Sequence, residues 1–131
     1  MADLQVDIVT PQKLIYSGSA SEVRAPGWEG QFDVLPGHSL FLALLHGGVL
    51  ELMTPEGPKR FVVGRGFAEA GPDRVTILTD RCVSPDDVDK GAAQKDLVAF
   101  EDELATINGY DDAALARLEE KLEVARAMLE I

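Results

Sequence analysis

At Ser84-Pro85 the hydrophobic repeat of the chain changes period, so no single kind of secondary structure can serve both halves. Upstream, apolar and polar side chains alternate. In residues 3–9, Leu4, Val6 and Ile8 fall on one face and Asp3, Gln5 and Asp7 on the other, the period of a strand with one wetted face. Downstream, Ala93, Leu97, Phe100, Leu104 and Ile107 advance by four and three, and Leu115, Leu118, Leu122, Ala125 and Leu129 repeat that spacing. Such steps trace the apolar seam of a helix. The expected fold is β plus α: an N-terminal β-sandwich over residues 1–84, then a C-terminal antiparallel two-helix hairpin over residues 85–131.

The first part divides at its turn residues. Thr10-Pro11 ends the opening strand, residues 13–16 form a second, and Ser17-Gly18-Ser19 reads as a turn. Residues 22–25 and 32–35 are short and extended, with the glycine-bounded segment 27–30 between them. Pro36-Gly37 and Gly47-Gly48 bracket the apolar run 40–45. That run is too short to cross a bilayer, which takes about 20 apolar residues, and reads as a fully buried strand. Residues 48–53 and 60–63 make a hairpin about Thr54-Pro55-Glu56-Gly57-Pro58, where proline presets φ and glycine accepts positive φ. Residues 64–70 form a strand with glycine breaks, and residues 75–80 a strongly β-prone last strand. Short strands with frequent turn signals indicate a sandwich or barrel.

For the hairpin, Ser84 is the expected N-cap, Pro85 the first helical residue, and Asp86 and Asp87 suit the positive end of the helix dipole. Asn108-Gly109-Tyr110-Asp111 ends the first helix. Each narrow seam can be covered by the other, which leaves little apolar surface to fasten the pair to the sandwich. Gly91 costs about 1 kcal/mol relative to alanine within a helix. The hairpin is therefore a candidate mobile element; the plainer alternative is a pair docked permanently on the sheet.

Formal net charge is −11, divided as −3 over residues 1–84 and −8 over residues 85–131. Such a surface repels nucleic acid and anionic lipid, which excludes both as main partners. The single cysteine, Cys82, allows no internal disulfide and suits a reducing compartment. The N-terminus shows no basic segment followed by an apolar one, so no signal or transit peptide is expected.

Catalytic constellations are missing from the sequence. There is no Gly-Lys-Ser/Thr phosphate loop and no His-Glu-x-x-His motif. Gly64-Arg65-Gly66 lies between strands with no helix behind it, so it reads as a bend in a sheet rather than a dinucleotide site. His38 and His46, eight apart, are expected on one face, yet a metal site would need a third ligand, with Asp33 or Cys82 as the only suggestions; none is assigned. Cys82 has no Cys-x-x-Cys partner and reads as a structural thiol. A Ser39-His46-Asp80 triad can be written but has no support in spacing. Trp28, between Gly27 and Gly30, is expected to fold inward as a core plug rather than face a partner. No cofactor is expected.

The order of segments resembles a known family. Val6-Asp7-Ile8-Val9-Thr10-Pro11, then residues 30–38 ending in Leu35-Pro36-Gly37-His38, then Val63-Gly64-Arg65-Gly66-Phe67-Ala68-Glu69, then Val75-Thr76-Ile77-Leu78-Thr79-Asp80 and a helical hairpin are similar to the epsilon subunit of bacterial F-type ATP synthase. The resemblance implies a non-catalytic subunit of the central stalk, whose sandwich binds the gamma subunit and the c-subunit ring. It implies a hairpin that lies on the sandwich or extends toward the alpha and beta subunits of the catalytic head to block ATP hydrolysis. The location implied is peripheral, on the cytoplasmic face of a bacterial inner membrane, without insertion into lipid.

The loop residues that face the c ring in the family match Gln31, Asp33 and His38; the family's acidic residue is Gln31 here and its glycine is Asp33. Some members bind ATP through an Ile/Leu-Asp-x-x-Arg-Ala motif. The matching residues are Val88-Asp89-Lys90-Gly91-Ala92-Ala93, with Ala92 in place of arginine. Asp89 and Arg126 remain as vestiges of such a site, and loss of a fixed cation predicts weak or absent ATP binding. Arg117, Lys121 and Arg126 are the only cations of the second helix, which predicts weak inhibition. The competing reading is an adaptor module of another complex.

Overall fold

The computed structural model describes residues 3–107 and 109–131; Asn108, part of the expected stop to the first helix, lies outside them. Ten strands precede two helices: β1 (Leu4–Val9), β2 (Leu14–Ala20), β3 (Glu22–Gly27), β4 (Gly30–Val34), β5 (Phe41–Leu45), β6 (Gly48–Thr54), β7 (Gly57–Val63), β8 (Gly66–Ala70), β9 (Arg74–Thr79), β10 (Cys82–Val83), α1 (Lys90–Thr106) and α2 (Asp112–Glu130). The strands join in the order β10-β7-β6-β3-β5-β8-β9-β1-β2, with β4 added on β3. All ladders are antiparallel except β1 on β9.

β3 is the crease. Its first residues pair with β6 and its last, Gly27, with Leu45 of β5, so one ribbon folds into two facing layers. Between them lies a core from nearly every strand: Leu4, Val6 and Ile8 of β1, Leu50 and Leu52 of β6, Phe61 and Val63 of β7, Val75 and Ile77 of β9. Tyr16 of β2 closes on Phe61 with rings 5.6 Å apart. The fold class is the β-sandwich followed by a helical pair that the two periods require.

Several local expectations give way to the structure. The run 40–45 is not fully buried: Leu45 is, but Leu40, Leu42 and Leu44 are 82%, 65% and 53% exposed. β5 is apolar on both faces, so its alternation of inside and outside is invisible in sequence. Ser17-Gly18-Ser19 is not a turn but the middle of β2, where Gly18 pairs with Val6 and the Ser17 hydroxyl donates to Asp7 Oδ1 at 2.7 Å. The hairpin turn after β6 is as expected, with Gly57 at φ +108°. Its Thr54 hydroxyl donates to the Gly57 carbonyl at 2.7 Å.

Ser84 does not cap α1. It precedes one 3-10 turn, Pro85–Asp87, after which Val88 is extended and packs against the cluster of Val62, Val124 and Ala127. That contact holds the backbone out of helical geometry, and Asp89 becomes the cap, accepting from the Ala92 N–H at 3.0 Å. Gly91 accordingly sits in the exposed first turn of α1. The hairpin is also better fastened than its seams suggest. α1 and α2 pack together, but α2 carries the main contact to β6 and β7. Its second apolar stripe, Val124, Ala127 and Met128, joins Ile131 beyond its end on Val62. Ala127 is small, which helps to make the stripe faint in sequence.

Candidate functional site

Where β5, β8 and β9 turn their outer face to solvent, the register aligns apolar side chains across strands. Leu44 is opposite Phe67, Phe67 opposite Leu78, and Leu78 beside Val9 of β1. Leu42, Leu44, Phe67 and Leu78 are 65%, 53%, 45% and 39% exposed. Cross-strand neighbours of this kind form one patch rather than scattered contacts, and a contiguous apolar patch on a soluble surface marks an interaction site. The Leu35-Pro36-Gly37-His38 loop lies at the opposite end of β5, anchored by the Gly37 N–H on the Pro72 carbonyl at 2.7 Å.

Trp28 stands at the border of this patch. The expected core plug is not found: the indole is 52% exposed, because β3 ends at Gly27 and carries the next residue past the edge of the core. The Arg65 guanidinium lies 5.0 Å from the ring centroid, a cation–π contact, and His46 meets the ring edge-on at 6.4 Å. Arg65 also reaches Glu123 of α2, with Nη2 to Oε2 at 2.8 Å and Nε to Oε1 at 3.2 Å. Glu123 accepts in addition from the Gly47 N–H at 2.7 Å. Burial alone would raise the pKa of Glu123, but Arg65 and Gly47 hold it below the ordinary glutamate value. Gly47 is part of the joint by necessity, since a Cβ there would lie 2.7 Å from the Glu123 Cβ.

The residues singled out in sequence are placed as follows. Gln31 and Asp33 lie exposed on β4, on one face of the strand; Asp33 is 3.9 Å from Arg24. His38 is exposed in the following loop, its Nδ1–H donating to the Ser39 carbonyl at 2.8 Å and its ring meeting Phe41 edge-on at 4.8 Å. His46 lies beyond the other end of β5, about 16 Å of strand away, with Nδ1–H donating to the Gly47 carbonyl at 2.6 Å. The two histidines therefore do not share a site, and Ser39, His46 and Asp80 do not assemble. Asp80 instead meets Glu120 of α2. Cys82 is half-buried, and burial pushes its thiol up to about 11. Gly64 and Gly66 bend the chain from β7 into β8, with the Thr79 hydroxyl donating to the Gly64 carbonyl at 3.0 Å. The Asp89 carboxylate is occupied as a helix cap. Arg126 opens on a different recess, beside Gln31, His46 and Glu130, so the structure does not bring Asp89 and Arg126 together.

Against known families, residues 3–85 match the model of the ATP synthase delta/epsilon chain β-sandwich domain. The chain belongs to the ATP synthase delta/epsilon family. Its similarity extends past the sandwich. The ATP synthase epsilon chain of Granulibacter bethesdensis is 37% identical over 131 residues, covering 99% of this chain and 97% of that one. That of Magnetococcus marinus is 38% identical over 126 residues, 96% and 91% of the two chains. Among solved structures, a chain of the Euglena gracilis mitochondrial ATP synthase OSCP/F1/c-ring assembly superposes with TM-score 0.82 at 22% identity, over 98% of this chain and 80% of that one. A chain of the Tetrahymena thermophila mitochondrial ATP synthase central stalk and c ring gives 0.61 at 13%, over 97% and 94%. At those identities the two structures speak to a shared fold alone, over nearly the whole of this chain.

Sequence reasoning missed Arg65, Glu123 and the outward leucines. An arginine between two glycines inside a sheet was the one available signal for the joint. For the leucines there was none, because inward and outward residues of β5 are chemically alike.

Proposed function

We propose that this chain is a non-catalytic rotor subunit of the ATP synthase central stalk, in which residues 1–84 grip the shaft and residues 85–131 form a movable regulatory arm. The observation that carries the reading is the open row Leu42, Leu44, Phe67 and Leu78 on an epsilon-family sandwich. Leu44, Phe67 and Leu78 aligned in register, with Leu42 beside them, suit an elongated protein surface such as the gamma subunit. The −11 charge argues against lipid or nucleic acid on the same face. Gln31 and Asp33 on β4, with His38 in the loop beyond it, are the polar groups proposed to meet the c-subunit ring. Through gamma the arm would reach the alpha and beta subunits of the head. Among the described residues no helix is long and apolar enough to cross a membrane, which fits peripheral attachment at the cytoplasmic face through the c ring.

The test is capture of purified gamma by the tagged chain. Wild type should retain gamma, and Leu42→Glu with Phe67→Glu should lose it while keeping the wild-type circular dichroism. Both side chains are outside the core, so folding should be little affected. Undiminished capture by the double variant, or none by wild type, would overturn the reading.

A further inference from the structure

Where α2 rests on the sandwich, two carboxyl groups come together at one glycine. Asp80, exposed in the turn after β9, and Glu120, on α2, line the same recess. Both close on Gly64: a Cβ there would overlap Asp80 Oδ1 and lie 3.4 Å from Glu120 Oε1. Two ionised carboxylates have only acceptors, so a bond between them requires one proton on the pair. The surrounding groups are few. The β7–β8 bend offers Arg65, whose side chain is committed to Glu123 and whose N–H points to Glu120 Oε1 at 3.4 Å. The turn offers Arg81, and α2 offers Arg117 and Lys121, all lining one recess with the pair. Glu119, 4.0 Å from Arg65, and Glu123 flank it on the helix. His46, before β6, acts on Glu123. From α1, Phe100 lies 5.7 Å from the Lys121 ammonium.

We propose that Asp80 and Glu120 form a proton-operated latch, in which one shared proton holds the hairpin on the sandwich and its loss releases the arm. The inference rests on the reading of residues 85–131 as a movable arm and adds what controls it. The joint brings together the groups a switch needs. One glutamate, Glu123, has a full complement of donors and anchors the helix. The other, Glu120, one turn earlier, faces a like charge from the body. Undocking separates Glu120 from Asp80 and returns both to water.

The signs follow from the two environments. Hydrogen bonding to Asp80, with burial, raises the docked Glu120 above the ordinary carboxyl value. Its contribution to docking is therefore complete below the free glutamate pKa, about 4.3, and is lost as pH rises through the higher docked value. Glu123 is the reverse: lowered when docked, it contributes above about 4.3 and fails as pH falls through its docked value. The hairpin is held hardest between the two docked values, around the ordinary glutamate pKa of about 4.3, and a rise of pH through the docked Glu120 value loosens it.

Native amides report this directly. The Gly47 N–H donates to Glu123 only when α2 is docked, whereas Ile77 lies in the sandwich core. Hydrogen exchange of the full-length chain from pH 5 to 8, as protection corrected for intrinsic rates, separates docking from global unfolding. In wild type, Gly47 protection should fall several-fold across the range while remaining below that of Ile77. Glu120→Gln, which hydrogen-bonds Asp80 without a titrating proton, should abolish the slope and raise protection at pH 8. His46→Asn and Glu119→Gln should keep it. A flat wild-type profile, or a slope that survives Glu120→Gln and disappears in His46→Asn, overturns the latch and leaves the movable arm standing. Gly47 protection equal to that of Ile77 at every pH overturns both.

Discussion

Single residues in this chain are decided by what lies against them rather than by their type. Cys82 faces the core from β10, and its pKa, pushed to about 11 by burial, leaves almost no thiolate at neutral pH. Iodoacetamide at pH 8 should modify the native protein at least about a hundredfold more slowly than a free thiol, with the ordinary rate restored in urea, as followed by mass spectrometry. Gly66 is more constrained than its neighbours. A Cβ there would run into the Leu78 carbonyl oxygen and stand 2.8 Å from the Thr79 Cα, both backbone and neither free to move. Gly66→Ala should therefore cost about 3 kcal/mol or more in urea unfolding. Its place in a bend was legible from glycine spacing alone. The close approach that forbids a side chain was not, since it depends on β9 returning beside β8.

At the level of elements, hydrophobic period decides which segments are strands and which are helices, and tertiary contact sets their limits. β1 alternates in the structure as its residues alternate in sequence, because one face is wet. β5 does not show its orientation, because both its faces are apolar. α1 begins late because Val88 is drawn to the apolar cluster of Val62, Val124 and Ala127, residues distant in sequence that no local signal encodes. α2 is the joint between the parts, and Gly47 abuts it through Glu123. Gly47→Ala should push Glu123 outward and weaken docking of the helical pair by roughly 1–3 kcal/mol. Limited proteolysis within residues 107–112 should quicken while the thermal unfolding of the sandwich stays near wild type. Equal loss of both would show that the pair and the sheet unfold as one unit.

Taken whole, the molecule pairs a nearly neutral sandwich with a strongly acidic arm, and this asymmetry bears on nucleotides and on regulation. Residues 85–131 carry −8, Ala92 supplies no cation, and Asp89 is occupied in capping α1. Calorimetry at micromolar ATP should register no binding by the isolated chain. With Arg117, Lys121 and Arg126 as the only cations of α2, removing residues 85–131 should raise ATP hydrolysis of a reconstituted catalytic head only modestly; a large rise would assign the acidic arm a strong brake. The stacking of Arg65 between the indole and the arm has a practical consequence as well. Trp28 is the sole tryptophan of the chain, and the cation above its ring is held in place from the far side by Glu123. Any departure of the arm frees that cation, so the protein carries a built-in optical gauge: ultraviolet emission from one native chromophore should register the position of its helices, with no dye attached.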